Sequence, residues 1–440
     1  MQLEGKSLRS DFFRFIIPSM VAQWVFALYT MIDGLFVARG VSAMALSAVN
    51  IAMPFVTLLF SVALCFSVGS STIIAIFLGE GDKDKAQQVF TQNILCSTVI
   101  SLIITAVVIW KSEAIALFLG AGPETIGDVR TYLVTIASFS FAFIISYSLE
   151  VMIKTDGYPM KATIIVTSGC IINCILDFLF VIVWKKGVFG AAFATGFSQF
   201  IVVLLYLTHF CGKKTNMKLV KFRFDAGLLV RTVKIGLASG ITEFSAGIVI
   251  FLFNHFILIW LGEAYIASYT IVSYISTIGV MSMAGIAQGI QPLVSYYFGK
   301  QEHEKYHTLL RYALCAGGVL SVILFGACWL LAEPLATMFI TDNSMLIEET
   351  IRAFHGFSWS FLLCGFNIII GGYFTSLEFP KSAMAVSLGR GLVFVALSLQ
   401  VLTMIFEKNG IWWSAFLSEF LCFAMTMLLY FRNRNSRHIR

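Results

Sequence analysis

The sequence predicts an all-α polytopic membrane protein, with twelve transmembrane helices in two six-helix bundles related by pseudo-two-fold symmetry about the membrane normal. Three observations carry this expectation. The 440 residues are 58% hydrophobic and only 12% charged, with a mean hydropathy of +0.87, whereas a soluble domain carries about 25% charged residues. Apolar stretches that reach or exceed the ~20 residues needed to cross a bilayer recur between short charged breaks. Sequence features of the first half then return in the second at a near-constant offset.

The charged breaks delimit spans at 12–38, 42–78, 89–110, 131–153, 161–184, 188–212, 232–261, 265–298, 310–333, 350–375, 382–406 and 411–432. The first stretch lacks a small-residue cleavage site, so it is expected to stay as the first span. The largest polar break, Cys211 to Lys234, holds Lys213, Lys214, Lys218, Lys221, Arg223, Arg231 and Lys234. It divides an N-terminal bundle, 1–212, from a C-terminal bundle, 232–440, by a basic linker, 213–231. With the N-terminus inside, 22 of the 30 Lys and Arg residues fall in inner connections and 7 in outer ones, with Arg390 unassigned. The positive-inside rule then places both termini and the linker in the cytoplasm. The net charge of +6 is dispersed over these connections and forms no basic amphipathic face, so nucleic acid is not an expected partner. The nine cysteines are scattered without a C-x-x-C pair and read as small apolar packing residues.

The repeat is legible at four places. Pro159-x-Lys161-Ala162 returns as Pro380-Lys381-x-Ala383, an offset of 221. Gly190, Ser198 and Phe200 return as Gly410, Ser418 and Phe420, an offset of 220. The Gly79-Glu-Gly-Asp turn matches Gly299-Lys-Gln-Glu, and Gly69 matches Gly289, at the same offset of 220. Because each half holds an even number of spans, the halves share one orientation and are related by an axis along the membrane normal. Two bundles around a shared cleft are the architecture of an alternating-access transporter.

A few ionisable or polar residues lie within the spans, where a carboxylate is costly and marks a functional site by default. At a rise of ~1.5 Å per residue, Asp33 lies ~9 Å from the outer end of span one, counted from Arg39. Asp177 lies ~12 Å from the outer end of span five, counted from Lys185, and Thr195 is ~10 Å deep in span six. Asn173 sits one turn from Asp177 on the same face. Carboxylate, amide and hydroxyl oxygens at one level suit a hard cation or a proton, so Asp33, Asn173, Asp177 and Thr195 form the candidate ion-coupling site. Glu150, one turn before Lys154, and Glu243 in span seven form a candidate substrate or secondary acidic site. At offset 220, Asn173 and Asp177 become Val393 and Leu397, so the second half is expected to offer a mostly apolar wall. Pro18 lies fifteen residues before Asp33 and is the candidate conformational bend. Trp24, Phe26, Tyr29, Phe36, Phe141, Tyr147, Phe244 and Phe253 are candidates for lining a drug-sized cleft.

The chain contains no nucleotide-binding G-x-x-x-x-G-K-[ST] loop, no H-E-x-x-H and no G-x-S-x-G, so it is read as a transporter and not an enzyme, with no cofactor and no resident metal. The ordered motifs resemble those of the multidrug and toxic compound extrusion (MATE) family, in its prokaryotic branch with an acidic first-half site. They are Pro18, Met31-Ile-Asp33-Gly-Leu-Phe-Val-Ala-Arg-Gly40, Gly79-Glu-Gly-Asp-x-x-x-Ala86, Gly157-x-Pro159-x-x-Ala162, Asn173-x-x-x-Asp177 and Gly190-Ala-Ala-x-Ala-Thr195. The resemblance implies efflux of cationic or amphipathic small molecules across the inner cell membrane of a prokaryote, driven by inward movement of H⁺ or Na⁺. It implies that Asp33, Asn173, Asp177 and Thr195 hold the ion, with Na⁺ a possible occupant, and that Pro18 is the bend. Glu150 matches a position acidic in some multidrug members, and Glu243 an acid of members that use the second half. Span ten here lacks the acid such members carry. Beyond substrates and membrane lipids no partner is expected, and the protein is read as a monomer. The alternative is a flippase for a lipid-linked sugar or other lipid, which calls for a more cationic cleft.

Overall fold

Each long helix that opens with a capping side chain does so at a residue with a short polar group. Backbone N–H groups of the first turn donate to Ser7, Ser42, Asp82, Asp225 and Asn343, replacing bonds the first turn lacks. Span 2 ends at Gly81, whose φ of 85° lies in the left-handed region that a side chain disfavours. These signals set the element ends in the computed structural model, which describes residues 7–437 apart from 213, 214, 222, 341 and 342. It places the backbone but not the side chains of Leu35, Ala38, Arg39, Ala43 and residues 435–437. The basic residues Lys6, Lys213, Lys214 and Arg440, and the side chains of Arg39 and Arg437, therefore lie outside the described residues.

Spans 1 to 3 are Leu8–Gly40, Ala43–Glu80 and Lys83–Phe118. Span 4 is bent by 49° between Ile126–Ser138 and Ser140–Thr155. Span 5, Pro159–Asp177, continues as a π-helical turn over Phe178–Val183, and span 6 is Gly187–Phe210. Spans 7 to 10 are Ala226–Trp260, Ile266–Gly299, His303–Leu330 and Ser344–Ser376. The 55 apolar residues Pro380–Arg434 would measure ~80 Å as one helix, far beyond a ~30 Å hydrocarbon core. They break at Glu407–Asn409 into span 11, Pro380–Phe406 with its own π turn at Gly389–Val393, and span 12, Gly410–Arg437. Among the described residues that makes twelve spans.

The third span of each half runs on further than the hydropathy suggests. Lys111 leaves helical geometry (φ −114°, ψ 22°), so residues 112–118 form a bent extension. Residues 220 later, Ala332–Phe339 forms a separate short helix after span 9. Lys111 Nζ lies 4.2 Å from the Trp110 ring, an anchor suited to the membrane interface.

The buried side chains fall into a shared core and separate ones. Phe15, Ile74, Leu149, Ile290, Leu293 and Tyr306 belong to a cluster that draws on both halves near the face carrying the linker. Toward the other face the first half packs around Leu59, Leu133 and Ile144, and the second half around Ile257, Leu399 and Trp412. Spans 1 and 2 meet spans 7 and 8, so the bundles are joined at the linker face and part toward the opposite one.

Candidate ion site and central cleft

Span 5 carries Asn173 and Asp177 four residues apart, and Asp177 is the last residue before the π turn. A π turn re-aims the side chains around it and is frequent at functional sites. Asp177 is 0% and Asn173 1% exposed. The Asp33 carboxyl, from span 1, faces the side chains of Asp177 and Thr195, and the phenols of Tyr29 and Tyr132 stand beside the two carboxyls. Both Asp177 carboxylate oxygens, both polar atoms of the Asn173 amide and Asp33 Oδ1 are buried without a hydrogen-bond partner. Thr195 Oγ1 donates to Ala191 O at 3.0 Å, which leaves its own lone pairs free to accept.

Buried polar atoms are ordinarily bonded, and each left unpaired costs about 1–3 kcal/mol, more when charged. Several orphaned oxygens facing one another in an apolar bundle therefore need a proton or a cation among them. The donor set, carboxylate, amide and hydroxyl oxygen, fits either. Tyr132, in the bent span 4, was not singled out in the sequence. A tyrosine so near the outer end of a span reads as an interfacial anchor, and the 49° bend is invisible in the hydropathy.

Nearer the cleft, Glu150 Oε1 is held by Lys154 Nζ at 2.6 Å, with the side chains 13% and 4% exposed. Glu150 of the first half and Glu243 of the second both lie near the Tyr147 phenol, which also approaches Gln288. Across the same boundary Gln23 Nε2 donates to Gln288 Oε1 at 3.0 Å and Trp24 Nε1 to Ser282 Oγ at 2.8 Å. Phe26, Phe60 and Tyr147 form an aromatic group here. Phe253 is not part of it. At 2% exposure it stacks on Tyr269 and packs against Phe357 within the second half. Pro18 lies inside an unbroken helix, and its carbonyl accepts a 2.8 Å bond from Thr163 Oγ1 of span 5.

The expectation of a mostly apolar second half is corrected. Arg390, in the π turn of span 11, bonds Glu419 of span 12 through Nε at 2.8 Å. Asn367 of span 10 donates to Glu419 Oε2 at 2.7 Å, and Arg390 Nη2 reaches Cys364 Sγ at 3.4 Å. The two charges lie on adjacent spans and neutralise each other. The clue was the pair itself, an arginine and a glutamate each far from its span's ends.

The family model described as MatE matches residues 18–179 and 241–399, one stretch in each half. The multidrug export protein MepA of Staphylococcus aureus (strain bovine RF122 / ET3-1) is 24% identical over 425 residues, which cover 96% of this chain and 93% of that protein. A solved structure described as the outward-facing conformation of a multidrug resistance MATE family transporter of the MOP superfamily superposes with a TM-score of 0.92 at 21% identity, over 98% of this chain and 97% of its own. A MOP superfamily transporter from Pyrococcus furiosus, described by a reverse polarity of its binding pocket, superposes with a TM-score of 0.88 at 21% identity, over 96% of each chain. The solved structures establish the shared fold. The family model spans most of the chain and falls once in each bundle, and on that ground this chain belongs to the MatE family.

Proposed function

We propose that the protein exports cationic or amphipathic small molecules by alternating access, in exchange for H⁺ or Na⁺ moving inward. The supporting observation is the buried group of unpartnered oxygens at Asp33, Asn173 and Asp177. With the linker face in the cytoplasm, as the basic residues indicate, the cleft opens outward and this group lies in the outer part of the first bundle. An entering cation lowers the negative charge of the facing carboxyls by one, weakening the repulsion that opposes packing of spans 1, 5 and 6 around them. The rearrangement of span 1 releases substrate outward and favours the inward-open state. Emptying the site toward the cytoplasm restores that negative charge, which attracts the next cationic substrate. Ion and substrate thus exclude each other, and exchange follows from competition.

The flippase reading needs free basic groups for a phosphate. Within the described spans, Arg390 is tied to Glu419 and Lys154 to Glu150, which favours the cationic-substrate reading. The test is counterflow of ethidium in proteoliposomes, driven separately by a pH gradient and a Na⁺ gradient. One of the two gradients is expected to drive uptake, with Asp33→Asn and Asp177→Asn each lowering it at least tenfold while remaining folded and inserted. Full dye exchange by either variant would sink the assignment.

A further inference from the structure

The segment that joins the halves interleaves cations with open apolar side chains. Residues 218–221, 223 and 224 lie outside any helix. Lys218, Lys221 and Arg223 are exposed, and so are Leu219, at 66%, and Phe224, at 58%. Among the described residues none of the three cations forms an ion pair. The acid nearest in sequence, Asp225, is engaged as a cap: its Oδ1 accepts from Gly227 N at 2.7 Å and Leu228 N at 3.1 Å. From Lys218 to Asp225 three positive charges face one negative, a net of +2.

The segment is held at the level where the lipid-facing surface begins. Val220 N donates to Thr91 Oγ1 at 3.1 Å, and Gln92 Nε2 to Asp225 O at 2.8 Å. Leu95 lies one turn beyond Thr91 on span 3, about 6 Å along the axis. It is 48% exposed and opens the stripe that Val99 and Leu102 continue, an apolar helix face turned to lipid. On span 7 the exposed Val230 begins the corresponding surface six residues after Phe224. The cations and apolar side chains of the linker therefore stand at the boundary between headgroups and acyl chains. Stable binding to a membrane surface takes two signals, and apolar burial with attraction to anionic headgroups is such a pair. Basic groups beside a span draw acidic lipids, and the pull fades within a Debye length.

We propose that Lys218, Leu219, Lys221, Arg223 and Phe224 form a docking surface for anionic phospholipid. The three cations take headgroup phosphates, and Leu219 and Phe224 enter the acyl boundary. The other basic residues of this face set orientation, whereas this segment adds apolar anchors and a position fixed by its bonds to span 3. Docking thereby seats the first bundle against that leaflet. The proposal is independent of what the protein transports.

The test uses the full-length protein in nanodiscs, with native cysteines replaced by alanine or serine and the fluorophore NBD attached through Leu219→Cys. The discs hold phosphatidylcholine and phosphatidylglycerol at about 3:1, giving both leaflets the anionic surface that draws basic segments. An equal amount of one lipid or the other carries a doxyl quencher near its headgroup. Labelled phosphatidylglycerol is expected to quench at least twofold more than labelled phosphatidylcholine. The preference should vanish in about 1 M NaCl, where the Debye length is about 3 Å. It should vanish too in Lys218→Gln/Lys221→Gln/Arg223→Gln, and persist in Lys218→Arg/Lys221→Arg/Arg223→Lys, which keeps every charge. Phe224→Ser should at least halve quenching by labelled phosphatidylglycerol. Size-exclusion profiles check that each variant is folded. Equal quenching by the two lipids in the parent overturns the proposal. So does a preference that survives the glutamine variant, since the remaining basic residues of the face would then be its source. Loss of the preference in the charge-conserving variant, or unchanged quenching in Phe224→Ser, overturns it as well.

Discussion

At the residue scale the positions of charges decide most of what is specific to this chain. Asp33, Asp177 and Thr195 could be placed at one depth from the sequence because Arg39 and Lys185 mark where their helices leave the membrane. Their mutual approach, and the approach of Tyr29 and Tyr132, depends on helix rotation, which the apolar pattern does not encode. Glu150 carries a different lesson. Four residues from Lys154, it was open to pairing or to water, and the structure pairs it at 2.6 Å. Removing one partner of a buried pair costs about 3–5 kcal/mol, while replacing both by apolar groups is often neutral. Lys154→Ala is therefore expected to lower the thermal unfolding midpoint in detergent sharply, Lys154→Arg to restore most of it, and Glu150→Leu/Lys154→Met to unfold near the parent. A double variant as unstable as Lys154→Ala would mean that the ion pair itself, and not only the removal of an unpaired charge, holds this part of the bundle.

At the element scale, kinks and π turns do what the apolar pattern conceals. The boundaries of the spans were legible because charged breaks and capping residues such as Ser42, Asp82 and Asp225 punctuate them. The bend in span 4 and the π turn at Phe178–Val183 leave no mark in hydropathy, since Phe, Leu and Val fill an α-helix or a π turn equally well, and the π turn at Gly389–Val393 shows only as two glycines flanking Arg390. The π turns also fall at non-equivalent places in the repeat, so the halves present different polar groups from one shared topology. In span 5 the π turn follows Asp177. In span 11 it carries Arg390, which bonds Glu419 and Cys364, while Asn367 holds the other Glu419 oxygen. This cluster ties spans 10, 11 and 12 together. Arg390→Met leaves Glu419 with the Asn367 amide as its remaining side-chain partner and is expected to cost about 3–5 kcal/mol. Arg390→Met/Glu419→Leu should recover most of that, as read by a double-mutant cycle on thermal unfolding. Lys at position 390 keeps the charge without the planar fork and should fall between. A double variant that loses the sum of what Arg390→Met and Glu419→Leu each lose would show that the pair is not coupled.

At the scale of the whole molecule, the repeat was visible as matched glycines, and the structure sets them where the halves touch: a Cβ on Gly79 would collide with Tyr296 O and one on Gly299 with Ile76 O. Gly69, Gly79, Gly289 and Gly299 stood out by spacing, but a single sequence cannot say that equivalent glycines face one another's helices. That requires knowing that the halves meet about their own two-fold axis. The connection between the halves breaks this symmetry. Asp156, 0% exposed, accepts from Asn216 N at 3.1 Å, Asn216 Nδ2 at 2.9 Å and His209 Nε2 at 2.9 Å. Gln87 Nε2 donates to Asn216 O, Val220 N to Thr91 Oγ1, and Gln92 exchanges two bonds with the Asp225 backbone. The linker is thus fastened to the first bundle as far as the residue that caps span 7. In the exchange cycle proposed above, relative motion of the bundles would be taken up at Asp225–Ala226, with the linker travelling with spans 3 to 6. Lys218, Lys221 and Arg223 are exposed, yet their backbone lies on this fastened segment, so trypsin must wait for it to lift. Asp156→Ala removes hydrogen bonds to a buried carboxylate, each worth about 1.5–3 kcal/mol. Cleavage in 218–223 is expected to speed up at least tenfold, measured as the rate at which two half-length fragments appear. Because both halves contribute to the linker-face core, the fragments should still elute together by size exclusion. An unchanged cleavage rate would mean that the linker is held by its contacts with span 3 alone, and Gln92→Ala would then be the variant that frees it.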